Sequence, residues 1–403
     1  MSIRFVSIIM IGIFIFGFLP ACSTQRPSLS TIIPAVTTAP PTIIQEQTFP
    51  PPTDIQETPS PSPAVRKEPT PSPEPFVLPL SDYGPSFIGK RTYSFVDGCR
   101  DDRQVGITVW YPAIKPEDFT GTSLEDAEPN TASAPYPVVL TSTKSAGYFA
   151  PHLVTHGFAV VSVNKLDTYI KFDNTMIDMP LDFLFALNKA GTSSFEGLEG
   201  ILDAEHAGMM GYSFGGYNSL AISGARIDPE HYLAQCADPT AIEAAIYPDF
   251  INYQCALVDK WNEFEAHAGE ALSDSDDGLW QPMTDTRIRA VMPMAPEGWL
   301  LFGERGLAAV DRPMLFIVGT NDQLYSEDVL IFENLGAPDR FLISFVGKDH
   351  MMIFNPEQVK HMKHFAVAFF GTYLQGRQDY AEYFSQDFVA QYPALAWGAL
   401  SGE

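Results

Sequence analysis

Positive charge is scarce in this chain. Among its 403 residues, 24 Lys and Arg face 49 Asp and Glu, for a net charge of −25. That balance argues against nucleic acid as a partner, because phosphate binding needs a basic surface. Metal-ligand spacing is also missing. The eight histidines form no HxH or HExxH pattern, so no catalytic metal is expected. The four cysteines, Cys22, Cys99, Cys236 and Cys255, contain no CxxC pair, which removes the usual zinc and redox motifs. No cofactor is expected. Long apolar runs are absent too, with one exception. Phe5–Leu19 is nearly unbroken, yet it falls short of the ~20 residues that cross a bilayer as a helix. Placed behind Arg4, it reads as the core of an export signal.

Proline is abundant, and it is crowded near the start. Residues 23–78 are rich in Pro, Thr and Ser, with repeats such as Pro59-Ser60-Pro61-Ser62-Pro63. Such a composition buries too little apolar surface to order itself. It is expected to act as a stalk, with a reach of roughly 40 Å as a flexible coil and roughly 170 Å as polyproline II. The division expected is a signal segment over 1–21, Cys22 and the stalk over 22–78, and one folded domain over 79–403.

Inside that domain the apolar pattern changes character. Arg91–Val96 and Gln104–Tyr111 alternate like paired strands. Lys115–Pro135 is acidic and rich in turn residues, hence a surface loop. Tyr136–Ser142, Phe158–Val163, Ala290–Met294, Met314–Val318 and Phe341–Val346 are apolar almost throughout. Ala146–His156 and Asn174–Lys189 between them have helical spacing. Buried strands alternating with helices indicate an α/β fold whose mostly parallel sheet is covered on both faces. Gly224–Arg287 interrupts the rhythm with a polar segment, read as an inserted cap over the carboxyl edge of the sheet. In an exported protein the expected disulfide is Cys236–Cys255, with Cys99 either left over or one of the bonded pair. Asn355, Pro356 and Gln358 mark the start of a last long helix, Gly376 its stop, and Val359, Met362, Ala366 and Phe369 its buried face.

The chemistry centres on Gly211-Tyr212-Ser213-Phe214-Gly215-Gly216. Gly-x-Ser-x-Gly between a short strand (His206–Met210) and a helix (Phe214–Ser223) describes a sharp turn that lifts a serine out of the sheet. It also aims the Phe214 N–H at the position where an oxyanion would form. A serine hydroxyl needs a base, and the base needs an orienting carboxylate. His350 in Gly347-Lys348-Asp349-His350 is the base candidate. Asp322 in Gly319-Thr320-Asn321-Asp322 is the acid candidate, with Glu297 as its rival. Asp322 and His350 follow strands at their carboxyl ends, where open α/β sheets place their sites. The second oxyanion donor is expected in the loop after Ser142, at the Lys144 N–H, with Thr143 and Ser145 next in line. Tyr148 and Trp299 are aromatic candidates for the pocket.

Together Val109–Ala113, His156–Val161, Gly211–Gly216, Gly319–Asp322 and Gly347–His350 resemble the α/β-hydrolase superfamily. The resemblance is greatest to its dienelactone-hydrolase-like and platelet-activating-factor-acetylhydrolase-like branch, with cutinase-type polyesterases as relatives. It covers roughly Arg91–Gln375. It implies a serine hydrolase acting on carboxylic esters, small or lipid-like, through an acyl-enzyme. A peptidase or acyltransferase on the same residues is an alternative. Where many such enzymes have His-Gly, this chain has Ser142-Thr143-Lys144-Ser145, which motivates another rival: a surface binding protein that kept the fold and lost turnover. Leu19-Pro20-Ala21-Cys22 resembles a bacterial lipoprotein box. That implies cleavage before Cys22, lipidation of its thiol and a membrane-anchored, extracytoplasmic location.

Overall fold

Valine- and isoleucine-rich runs have no polar face to give to water, so they must be covered on both sides. In the computed structural model, residues 78–165, 171–238 and 248–400 are described. They belong to the compact unit Pro75–Glu403. The chain opens with β1 (Phe87–Asp97), β2 (Arg103–Ala113), β3 (Ser123–Glu125) and β4 (Tyr136–Ser142), followed by α1 (Thr143–Thr155), β5 (Ala159–Val163) and α2 (Thr175–Gly191). Next come β6 (Leu202–Tyr212), α3 (Phe214–Ser223) and the short helices α4 (Pro229–Ala237), α5 (Ile251–Gln254), α6 (Trp261–Ala268) and α7 (Glu270–Ser273). The remainder is β7 (Ile288–Met294), α8 (Trp299–Leu307), β8 (Met314–Gly319), α9 (Tyr325–Asn334), β9 (Arg340–Phe345), α10 (Pro356–Leu374), α11 (Gln386–Val389) and β10 (Leu395–Trp397).

The strands form one ten-stranded sheet in the order β10-β9-β8-β7-β6-β4-β5-β2-β1-β3. From β5 through β9 every neighbour is parallel. The antiparallel pairs lie outside that block, at β1–β2, β2–β5 and β9–β10.

Alternation along each strand separates two cores. Val138, Leu140, Val161, Met209, Val291 and Phe316 point to one face, where α2, α3 and Ile331 of α9 cover them. Val139, Val160, Met210, Met292, Ile317 and Ile343 point to the other, under α1 and α10. Each such side chain, fully buried, stabilises by about 1.5–3 kcal/mol before entropy is counted.

Several expected boundaries move. The acidic segment before β4 is not loop throughout, since β3 inside it pairs with β1. β6 starts at Leu202 rather than His206, and α1 starts at Thr143 rather than Ala146. The added start of β6 is held by pairing with Tyr136 and Pro137 of β4, and the added start of α1, Thr143–Ser145, is polar and so carries no hydrophobic signal. For α10, Asn355 caps as expected by accepting from Glu357 N and Gln358 N, and Gly376 follows with φ +71°. The reciprocal bond from Gln358 does not form: its side-chain oxygen has no partner among the described residues.

The segment expected as a polar cap carries buried aromatic residues that join the first of the two cores. Tyr232, Trp261, Phe264 and Trp280 stack there at centroid distances of 5.1–5.7 Å. The disulfide Cys236–Cys255 joins α4 to the residue after α5, and Cys99 is outside it, exposed. No described helix is long and apolar enough to cross a membrane.

Candidate active site

Ser213 stands between β6 and α3 with φ +60°. A non-glycine residue reaches that region only when its surroundings impose it. Here the imposing contacts are short. Ser213 N donates to Met294 O at the end of β7, while Gly216 N and Tyr217 N donate back to Ser213 O. A Cβ on Gly211 would lie 2.2 Å from Gly215 O, and one on Gly216 would lie 2.7 Å from Pro296 Cα. The glycines are therefore steric requirements of the turn.

His350 Nε2 lies 2.9 Å from Ser213 Oγ, and its Nδ1 lies 2.8 Å from Asp322 Oδ2. A carboxylate oxygen only accepts, so Nδ1 carries the proton there and Nε2 accepts from the serine hydroxyl. Asp322 Oδ1 accepts from Leu324 N, which fixes the carboxylate plane. The loops holding base and acid interlock. Asn321 N donates to Lys348 O, and Gly347 N donates to Thr320 Oγ1 at 2.7 Å. A Cβ on Gly319 would meet Lys348 O at 2.4 Å. These contacts explain why Gly319, Thr320, Asn321 and Gly347 accompany the two functional side chains. His350 begins a 3-10 turn, His350–Phe354, which Asp349 caps by accepting from Met351 N.

The oxyanion candidates sit at helix starts. Phe214 is the first residue of α3, and Lys144 is the second of α1. The expected loop after Ser142 does not exist: β4 runs straight into α1, so the Thr143, Lys144 and Ser145 amides belong to a helical first turn. Such amides lack an acceptor one turn back and sit at the positive end of the helix. The Lys144 ammonium lies 5.6 Å from the Tyr212 ring centroid.

The rival acid, Glu297, is buried and accepts the Tyr253 hydroxyl; the carboxylate on His350 Nδ1 is that of Asp322. Trp299 is buried with its ring edge-on to His231. Tyr148 is half-buried and meets Phe354 edge to face at 6.4 Å. Cys22 lies outside the described residues. Among the described residues, no group of three or more His, Cys, Asp or Glu is arranged to hold a metal ion.

Sequence reasoning missed two features. Tyr212 was inside the motif but had no assigned part. Its hydroxyl donates to His350 O at 2.8 Å. The second feature is a set of buried acids on α9. Glu327 accepts from Gly298 N, Trp299 N and Gln254 Nε2. Burial, reinforced by Glu297, pushes its carboxyl up to about 7. Burial and the neighbouring Asp322 raise Asp328 well above the carboxylate range, and neither of its carboxylate oxygens has a hydrogen-bond partner among the described residues. Through Tyr253–Glu297 and Gln254–Glu327, α5 is tied to residues that follow the carboxyl ends of β7 and β8. Nothing in Tyr325–Asn334 signals this, because only the folded chain buries Glu327 and Asp328. No protein-family model matches the chain, and no curated protein does.

Proposed function

We propose that the protein is a serine hydrolase of the α/β-hydrolase type that cleaves carboxylic esters. One observation carries the reading. Ser213, His350 and Asp322 form a continuous hydrogen-bonded series on a turn that forces the serine backbone to positive φ. The chain order Ser, Asp, His and the position of the serine after a central parallel strand add support.

In this mechanism His350 Nε2 takes the Ser213 proton as Oγ bonds to the ester carbonyl carbon. The oxyanion is stabilised by the amides of Phe214 and of the first turn of α1, Lys144 foremost. Collapse breaks the bond to the alcohol oxygen, which leaves with the proton from Nε2. Water then attacks the acyl-enzyme by the same route and releases the acid. Asp322 holds the Nδ1 proton and stabilises the imidazolium. Met351 and Phe354, both exposed, lie beside His350 in the chain, and with Tyr148 they offer apolar surface to an acyl or alcohol group. Lipidation at Cys22 and a stalk ending before the compact unit at Pro75, rather than at residue 78, would tether this domain to a membrane.

The test is hydrolysis of p-nitrophenyl acetate, butyrate and octanoate by the full-length protein and by Ser213→Ala. Turnover confined to the unsubstituted protein is expected. Equal rates from a folded Ser213→Ala protein would refute the assignment.

A further inference from the structure

The histidine proposed as base opens a short turn whose anchoring side chains, Met352 and Ile353, are buried in the second core, while His350 itself is only half-buried. Its turn, His350–Phe354, projects Met351 and Phe354, which are 59% and 56% exposed. Asp349 caps the turn locally, and Asp322 holds only the imidazole tip. The long-range bond to the backbone of His350 comes from Tyr212, the residue that precedes Ser213, whose hydroxyl donates to the His350 carbonyl at 2.8 Å. The two rings also pack, with centroids 5.4 Å apart. Tyr212 is itself rigid. It is 1% exposed, and it ends β6 in register with Met294 of β7.

We propose that Tyr212 is a positioning residue for His350, setting the distance between nucleophile and base from the peptide that carries the nucleophile. Two hydrogen bonds then close a ring: Ser213 Oγ to His350 Nε2, and Tyr212 Oη to His350 O. A shift of the elbow drags the base with it, so the reacting atoms keep their spacing. A buried phenol always seeks an acceptor, so the bond alone is unremarkable; its choice of acceptor is not. Tyr217, equally buried and one turn along α3, sends its hydroxyl to Met176 O and so away from the base. Tyr212 also touches the other side of the site, since the Lys144 ammonium rests over its ring. Burial and the nearby carboxylates of Asp322, Asp328 and Asp349 push its phenol far above the ordinary range, so it stays a donor at any working pH.

The inference rests on Ser213 being the nucleophile, and the experiment separates the two. The full-length protein, Tyr212→Phe and Tyr217→Phe would be labelled with a fluorophosphonate and assayed on p-nitrophenyl butyrate. Loosened alignment of a reacting pair lowers rate steeply, so Tyr212→Phe is expected to label and turn over about tenfold more slowly. Its KM should be unchanged, and Tyr217→Phe should behave as wild type. Placing 4-aminophenylalanine at position 212 keeps a donor there and should restore most of the rate. Tyr212→Phe with wild-type kinetics would overturn the proposal, as would an equal loss in Tyr217→Phe. If Tyr212→Phe does not fold, the comparison passes to the 4-aminophenylalanine protein, which is expected to keep most of the wild-type rate and whose tenfold loss would overturn the proposal. A folded wild type that is not labelled would instead refute the nucleophile itself.

Discussion

Glu327→Gln should stabilise the protein, and by an amount that grows with pH. Glu327 is fully buried. Its carboxyl is pushed up to about 7 by burial first and by Glu297 second. A folded-state value above the unfolded one means that the favourable contribution is complete below about pH 4.5. It is lost as pH rises through 7, because folding then buries a charge. The interval is worth about 1.36 kcal/mol per pH unit, or about 3 kcal/mol between pH 4 and pH 8. The amide removes that charge while preserving the geometry. Its oxygen still accepts from Gly298 N and Trp299 N. Its new N–H group can meet the Gln254 side-chain oxygen, which lacks a partner among the described residues. Thermal unfolding of both proteins from pH 4 to pH 8 should show the melting difference widening by roughly 4–5 °C in favour of Glu327→Gln. A difference that does not change with pH would refute the reasoning, since it would mean that Glu327 carries no buried charge to remove.

Two further expectations follow from other parts of the structure. Asp322→Asn keeps an acceptor for Leu324 N but turns an amide donor toward His350 Nδ1, which forces the imidazole proton onto Nε2. kcat should fall by about three to four orders of magnitude with KM little changed, which steady-state kinetics on p-nitrophenyl butyrate would check. Leu80 is held at both ends of its peptide geometry, its N–H donating to His364 Nδ1 and its carbonyl accepting from His152 Nε2. Burial lowers these imidazoles to about 4 and about 3. Their stabilising neutral form is complete above about pH 6.5 and is lost as pH falls toward 4. His364→Asn should therefore cost about 1 kcal/mol at pH 7.5 but recover about 2–3 kcal/mol relative to wild type at pH 4.5. Urea denaturation at the two pH values would check it, and a constant difference would count against it.

What the sequence revealed followed the reach of each physical signal. The buried strands announce themselves because Val138–Leu140, Val160–Val161 and Leu315–Val318 are apolar at every position and the sheet is covered on both faces. The Asn355 cap and the Gly376 stop are local, and both are present. Elements decided by partners in space were less legible. β3 exists because β1 is beside it, and the first turn of α1 has no apolar residue to mark it. The residues now grouped around Ser213 could be chosen in advance because a strand–turn–helix pattern and two strand ends narrow the candidates to a few. Glu327 and Asp328 could not, since only the folded chain buries that face of α9. Tyr212 was visible as a letter of the motif, but its acceptor is 138 residues away.

The central claim is that Ser213 is a nucleophile activated by His350. The most direct test is fluorophosphonate labelling of the full-length protein followed by mass-spectrometric mapping of the adduct, alongside a His350→Ala protein. The account predicts one phosphonylated residue, Ser213, and little adduct without His350. An adduct on another residue, labelling that persists without His350, or a folded protein that is never labelled would contradict it.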